Sequence, residues 1–154
     1  MLTLRPAVPD DRAFLMAMTE RLADFPVPVW RTPEQIAAAD QAQMLLAIDQ
    51  PRPEATVLVA EGADGGPAGC LFVTTRPDYF NGRPGAHVEV VVVNVAAQGR
   101  GVGRTLLEAA ESWARNRGYG HMTLSAFVGN GHARAVYEHL GYEAELVSYR
   151  KELA

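Results

Sequence analysis

Several residue types are scarce in this chain, and each scarcity excludes a class of site or protein. Cys70 is the only cysteine among 154 residues, which rules out an intrachain disulfide and a cysteine-based zinc cluster. Lys151 is the only lysine, so the P-loop motif, which needs a lysine after its last glycine, is absent. No apolar run reaches the roughly 20 residues that cross a membrane, and no signal-peptide core begins the chain. We therefore expect a cytoplasmic protein without a membrane partner.

Charge and composition narrow the class further. The formal net charge is −4, which gives no bulk attraction to nucleic acid, so we expect no nucleic-acid partner. The residues are 48% apolar and 21% charged, as in ordinary globular proteins. At this length we expect one domain spanning residues 1–154. The four histidines lack metal-ligand spacing, so we expect no metal.

Hydrophobic periodicity and turn signals predict alternating strands and helices. The predicted strands are 2–7, 55–61, 69–75, 87–95, 122–128 and 145–152. The predicted helices are 11–23, 33–50, 102–117 and 131–140, the second of which has Thr32 as its cap. This order predicts an α/β fold with one mixed central sheet of about six to seven strands and helices on both faces.

A glycine-rich turn joins the apolar strand 87–95 to the helix that follows it. Glycines let backbone N–H groups approach a ligand closely, and a helix start adds unpaired donors and a positive dipole end. Two guanidinium groups, of Arg100 and Arg104, stand beside these donors. The dinucleotide fingerprint begins at Gly99 and Gly101 but has Arg104 in place of its third glycine. We therefore predict a phosphate site that is neither a P-loop nor a dinucleotide fold.

The turn fits the pattern Q/R-x-x-G-x-G through Gln98, Gly101 and Gly103. A second block, residues 130–142, fits N-x-x-A-x-x-x-Y followed by leucine, glycine and an aromatic residue. With both blocks in this order, the second half of the chain resembles the GNAT superfamily of N-acetyltransferases. The resemblance implies the same order of elements, acetyl-coenzyme A as the cosubstrate, and an amine as the acceptor.

The resemblance also implies which residues hold the coenzyme. The strand before the loop would offer backbone groups to the pantetheine arm, and the loop would bind the pyrophosphate. Asn130 would contact the coenzyme, cap the helix that follows it, or do both. The implied coenzyme-binding residues are Val91, Val92, Val93, Val95, Gln98, Gly99, Arg100, Gly101, Val102, Gly103, Arg104, Asn130, Ala133 and Tyr137.

Glu89 is the first candidate for the base that deprotonates the amine. It interrupts an apolar strand, where a carboxylate is costly unless it has a partner or a purpose. The period of two places His87 on the same face, as a rival base or a relay partner. A structural ion pair between Glu89 and an arginine is the third possibility. The resemblance favours Glu89, since the family often has an acid here.

Tyr137 occupies the tyrosine position of the second block, where the family's hydroxyl protonates the departing sulfur. The resemblance places the acceptor near two loops that carry the aromatic residues Phe25, Trp30, Tyr79 and Phe80. We expect a primary amine of a small molecule to react directly, in a ternary complex. A protein acceptor and a noncatalytic acyl-coenzyme A sensor are the alternatives. The closing segment 147–153 is a candidate homodimer contact.

Overall fold

The computed structural model describes all residues from 1 to 154 and contains five strands and four helices. In chain order these are β1 (Thr3–Pro6), α1 (Arg12–Glu20), α2 (Pro33–Asp49), β2 (Ala55–Glu61), β3 (Pro67–Pro77), β4 (Pro84–Val93), α3 (Val102–Asn116), β5 (Met122–Leu124) and α4 (Gly131–His139). Single turns of 3₁₀ helix flank α1 and follow β4. None of the helices has the length and hydropathy of a membrane span.

The strands form one sheet in the order β1-β2-β3-β4-β5. The first four strands are antiparallel, and β5 pairs with β4 in parallel over only three residues, Ala86 to Val88. The mixed sheet agrees with the predicted fold class.

Two apolar clusters cover the two faces of the sheet. Helices α1 and α2 cover one face, where Leu15 and Met44 pack on Phe72 and Val90. Helix α3 covers the other face, where Leu106 lies among small and β-branched strand residues. Residues from α4 and the turn after it, including Tyr137 and Tyr142, pack against this second cluster. Each side chain of the sheet is therefore assigned to the α1/α2 face or to the α3 face.

The closing strand predicted at 145–152 is not formed, and the sheet has five strands instead of six to seven. The strand predicted at 122–128 ends at Leu124, since the chain then turns away and Phe127 stacks on Phe25. The short β5 leaves no long edge on which a sixth strand could pair. A strand prediction for the closing segment does not by itself supply a partner strand.

Candidate active site

Glu89 is the extra residue of a β-bulge in β4. Val90 pairs with Phe72 and Val88 pairs with Val73, so no residue of β3 stands opposite Glu89. The bulge reverses the alternation of the strand. Val88 packs on the α3 face, whereas Val90, two residues later, packs on the α1/α2 face. Bulges that re-aim one side chain are common beside active sites.

The two carboxylate oxygens of Glu89 have different surroundings. Thr74 Oγ1 donates a hydrogen bond of 2.9 Å to Oε1, and Arg76 Nη2 donates to the same atom at 2.9 Å. The other oxygen, Oε2, lies 3.9 Å from Nε2 of His87. The Glu89 side chain keeps 23% of its surface exposed. The ion pair with an arginine is thus present, but it occupies only Oε1 and leaves Oε2 available to a ligand.

His87 shares the face of Glu89, as the period of two predicts. Only 8% of its side chain is exposed, and its Nδ1 lies 2.7 Å from Thr123 Oγ1 in β5. Burial, and then the positive charge of Arg76, lower the pKa of His87, whereas Glu89 acts in the opposite direction. The imidazole is therefore neutral at pH 7.

Asp40 adds a second carboxylate near Glu89. It stands in the buried stripe of α2, four residues after Ile36 and four before Met44. The Asp40 carboxyl group makes no hydrogen bond or ion pair within the protein. Burial, assisted by the negative charge of Glu89, raises the pKa of Asp40 to about 6.

Beyond the bulge, one edge of β4 has no neighbouring strand. The pairing with β5 ends at Val88, and β3 occupies the opposite edge. The Asn94 N–H donates a hydrogen bond to the Ala68 carbonyl, near the start of β3. Because the backbone groups of successive residues in an antiparallel strand point to opposite edges, the N–H and C=O groups of Val91 and Val93 point to the open edge. The backbone groups of Val92 point to β3. Arg21 donates a hydrogen bond to the Val93 carbonyl.

The glycine loop presents a row of backbone donors. The first helical hydrogen bond of α3 runs from the Thr105 N–H to the Gly101 carbonyl, and none of the N–H groups of residues 99–104 has an acceptor in the protein. Gly99 and Gly101 have φ of 77° and 76°, the left-handed region that favours glycine. These donors at a helix start suit a diphosphate.

The side chains around the loop differ in how accessible they are to a ligand. Arg100 and Gln98 are exposed, whereas Arg104 is paired with Glu108 at 2.9 Å. Val95 is 62% exposed in the turn after β4, and Val102 is buried under the loop. The loop therefore combines unpaired donors with one unpaired guanidinium, that of Arg100.

Asn130 caps α4 by accepting a hydrogen bond of 3.2 Å from the Ala133 N–H, so the structural role expected for it is present. Tyr137 lies two turns further along and is half-buried against the α3 face. Burial raises the pKa of Tyr137, so its hydroxyl keeps its proton at neutral pH. No side chain of the protein binds that hydroxyl.

The four aromatic residues predicted to contact the acceptor divide into separate groups. Phe25 stacks on Phe127 with ring centroids 5.0 Å apart, and Arg31 lies over Phe127. Tyr79 and Phe80 contact each other edge-to-face at the tip of the β3–β4 hairpin, where both are exposed. Trp30 is 43% exposed in the loop after Phe25. No ring contact joins the hairpin pair to the loop before α2.

Cavity shape does not identify the site. A cavity of about 230 Å³ lies between α3 and α4, and Arg104, Glu108 and His139 are among its lining residues. None of the candidate catalytic residues lines it. Cys70 is fully buried, and burial raises the pKa of its thiol to about 12, so it has no nucleophilic character.

Several site residues were absent from the sequence-based prediction. Thr74 and Arg76 are two residues apart on β3, so a search for polar side chains sharing a face of that strand finds them. Asp40 is detectable as a charge within an apolar helical stripe. Thr123 and the bulge carry no sequence signal that we recognise.

Comparison with known proteins identifies the family of the chain. The model of the acetyltransferase (GNAT) family matches residues 15–142. The chain belongs to the GNAT family. The family match extends over α1 to α4 and includes Glu89, the glycine loop and Tyr137.

Individual GNAT relatives match over shorter stretches. The chain is 36% identical over 93 residues to an aminoglycoside N(6')-acetyltransferase type 1 of Stenotrophomonas maltophilia, covering 58% of this chain and 61% of that protein. It is 38% identical over 88 residues to a mycothiol acetyltransferase of Saccharomonospora viridis, covering 55% of this chain and 29% of that protein. The chain thus spans less than two thirds of the length of these relatives.

The GNAT fold is supported over the whole chain by solved structures. The structure of AAC(6')-Iy in complex with the bisubstrate analogue CoA-S-monomethyl-acetylneamine superposes with a TM-score of 0.71, at 23% identity, over 99% of both chains. At this level of identity the similarity establishes the fold alone.

Proposed function

We propose that this GNAT protein transfers the acetyl group of acetyl-coenzyme A to a primary amine of a small cationic molecule. The transfer is direct, in a ternary complex, because the single thiol is buried and inert. Glu89 is the base and Tyr137 is the acid. The loop at residues 98–104, with Val91, Val93 and Asn130, holds the coenzyme.

The observation that carries this proposal is that Glu89 and Tyr137 lie against opposite faces of the sheet. Glu89 lies on the α1/α2 face beside Thr74, and Tyr137 packs against the α3 face. An acyl group at the open edge would have a carboxylate on one side and a phenol on the other. This arrangement suits acyl transfer to an amine, which needs one proton removed and one supplied.

The residues of the chain then have distinct duties. Acetyl-coenzyme A supplies the activated acetyl group. Glu89 accepts a proton from the acceptor ammonium on Oε2, the oxygen that Thr74 and Arg76 leave free. Tyr137, which stays protonated at neutral pH, donates its proton to the departing sulfur. The unpaired donors of residues 99–104 hold the diphosphate, at a distance from the reacting atoms.

A cationic acceptor is favoured by the charges at the site. Glu89 and Asp40 supply two carboxylates on one face, where Arg76 opposes them. Arg21, at the Val93 carbonyl, is paired with Asp24. The formal net charge of −4 acts in the same sense over longer distances. Two relatives named above are aminoglycoside and mycothiol acetyltransferases, which supports a small molecule over a protein as the acceptor.

The proposal is tested by a thiol-release assay with acetyl-coenzyme A and a panel of aminoglycosides, simple diamines, amino acids and peptides. We expect turnover on a cationic small amine. The substitutions Glu89→Gln and Tyr137→Phe should each lower kcat by roughly a hundredfold or more, since each removes a proton-transfer group. Tyr119→Phe, a change to another tyrosine packed on the same cluster, is the matched control and should retain turnover.

Calorimetry on the same proteins separates binding from chemistry. Tyr137→Phe should bind acetyl-coenzyme A with an affinity close to that of the wild type. No detectable coenzyme binding by the wild type would contradict the proposal. Binding without turnover on any amine would favour an acyl-coenzyme A sensor, and turnover confined to peptides would favour a protein acyltransferase.

A further inference from the structure

His87 carries a nitrogen that no group of the protein binds. Its ring is more than nine-tenths buried, and Nδ1 is engaged by Thr123 in β5. Nε2 has no hydrogen-bond partner in the protein. Every fully buried side-chain nitrogen or oxygen atom has one, so Nε2 is not fully buried. Nε2 is therefore open to solvent at the wall of the site, on the side of Glu89 Oε2.

Thr123 is placed to orient the proton of the ring. Its Oγ1 lies 2.7 Å from His87 Nδ1 and 3.5 Å from the Ala86 carbonyl, which can only accept. A hydroxyl that donates to this carbonyl accepts from Nδ1–H. The proton of the neutral ring is then on Nδ1, and Nε2 presents a lone pair to the site.

Two acceptor atoms thus face the same space, Nε2 of His87 and Oε2 of Glu89, 3.9 Å apart. Neither can donate to the other. A nitrogen placed about 2.9 Å from each atom can give both of them a hydrogen bond of ordinary length. The group that fits has at least two N–H donors and a positive charge, which describes a primary ammonium.

We propose that His87 Nε2 and Glu89 Oε2 together form a cradle for the acceptor ammonium, in which Thr123 fixes His87 as a hydrogen-bond acceptor. His87 is then a substrate-binding residue that leaves the base role to Glu89. This inference deepens the proposed function and rests on it, since it names the chemical group that the same site recognises. It adds a binding contact and no further bond-breaking step.

The charges around the cradle favour this occupant. Glu89 on β4 and Asp40 on α2 are the carboxylates that act on the site, and Arg76 on β3 is the opposing cation, bound to Oε1. Burial, and then the charge of Arg76, lower the pKa of His87 and keep its ring neutral at pH 7. A neutral ring accepts a hydrogen bond from a cation, whereas an imidazolium would repel it.

The test uses two probes of equal charge, benzylammonium and benzyltrimethylammonium, added to the intact protein without acetyl-coenzyme A. Histidine ring nitrogens are observed by ¹H–¹⁵N NMR, and Kd is measured in the same titration. The His87 signals are assigned by their loss in His87→Leu, with exposed His132→Gln as the control. The free protein should show His87 as the Nδ1–H tautomer.

We expect benzylammonium to shift the Nε2 signal and to bind at least tenfold more tightly than the quaternary probe. Thr123→Val should remove most of this preference, while Thr123→Ser, which keeps the hydroxyl, should preserve it. Equal binding of the two probes, an Nε2–H tautomer, or an unchanged preference in Thr123→Val would overturn the cradle.

This readout is independent of turnover. Thiol release with equal probe binding would leave the transferase in place and remove the cradle. Selective ammonium binding without thiol release on any amine would retain the cradle and remove the transferase.

Discussion

The half-buried carboxylate of Asp40 lowers the free energy of unfolding of the protein. Its carboxyl lies in the buried stripe of α2, and its pKa is raised from 3.8 to about 6 by burial first and by Glu89 second. A raised carboxyl pKa means that folding favours the protonated form. The stability associated with Asp40 is therefore complete below pH 3.8 and is lost as the pH rises through 6.

The substitution Asp40→Asn should therefore stabilise the protein in neutral and alkaline solution. We expect the free energy of unfolding at pH 8 to rise by about 1 kcal/mol, a value reduced from the full pKa shift because the group is partly solvated. Urea unfolding of both proteins at pH 8 and pH 4 measures it. The difference should close at pH 4, where both folded proteins have a neutral side chain.

The same substitution should weaken recognition of a cationic acceptor, since a carboxylate near Glu89 is lost. A gain in stability with a higher acceptor KM would show that Asp40 is retained for function. Lower stability of Asp40→Asn at pH 8 would instead mean that the carboxylate has a favourable partner in solution.

The candidate catalytic residues could be singled out individually, but their contacts with residues of other strands could not be predicted. Glu89 is conspicuous because it is a charge in an apolar strand, and His87 follows from the period of two. Thr74, Arg76 and Thr123 belong to neighbouring strands, and their approach depends on strand register and on the bulge. Register is a long-range property that a local sequence pattern does not contain.

At the start of α3, some glycines are required by the backbone conformation and another is not. Gly99 and Gly101 adopt left-handed backbone, so other residues there would strain the loop itself. Gly103 is different: it lies inside the helix, and a Cβ there would meet only Val93 Cγ2, at an ordinary 3.5 Å. The folded chain has no need of a glycine at this position.

Gly103→Ala should therefore raise stability and lower coenzyme affinity together. Alanine is favoured over glycine within a helix by roughly 0.5–1 kcal/mol. The added methyl group would obstruct the close approach of a diphosphate to the N–H groups of residues 102–104. Thermal unfolding and calorimetric titration with acetyl-coenzyme A measure the two effects.

Ser112→Ala, in the same helix but remote from the loop, controls for helix propensity alone. It should leave coenzyme affinity unchanged. Coenzyme affinity that is undiminished in Gly103→Ala would exclude close contact of the coenzyme at this turn.

Helix starts were the most predictable part of the elements. Thr32 and Gln35 form the reciprocal capping bonds that their spacing predicts, and Asn130 caps α4. Strand ends were the least predictable, as β5 shows. Its predicted extension to residue 128 fails, and Phe127 stacks on Phe25 outside the sheet.

In the whole molecule, the order of elements was sufficient to predict a mixed sheet covered by helices. The last twelve residues, 143–154, are the exception, since they lie against no strand and every one of them is exposed. Their only side-chain hydrogen bond joins Arg150 to Glu152, within the segment itself. Apolar side chains among them face solvent, including Leu146, Val147, Tyr149 and Leu153.

We expect residues 147–153 of this segment to form a homodimer contact, as the family resemblance implies. A set of exposed apolar side chains is suited to burial against a second copy. Truncation after Glu143 should then convert a dimer into a monomer in light scattering. The free energy of unfolding of the monomer should change by less than about 0.5 kcal/mol, since the segment makes no contact that holds the body together.

Leu146→Ser with Val147→Ser tests the same contact in the full-length chain. The double variant should also be monomeric and should bind acetyl-coenzyme A as the wild type does, because the glycine loop and α4 are unchanged. A wild type that is monomeric at every concentration would contradict the dimer. A truncated chain that fails to fold would show that residues 144–154 complete the sheet in solution, as the predicted closing strand requires.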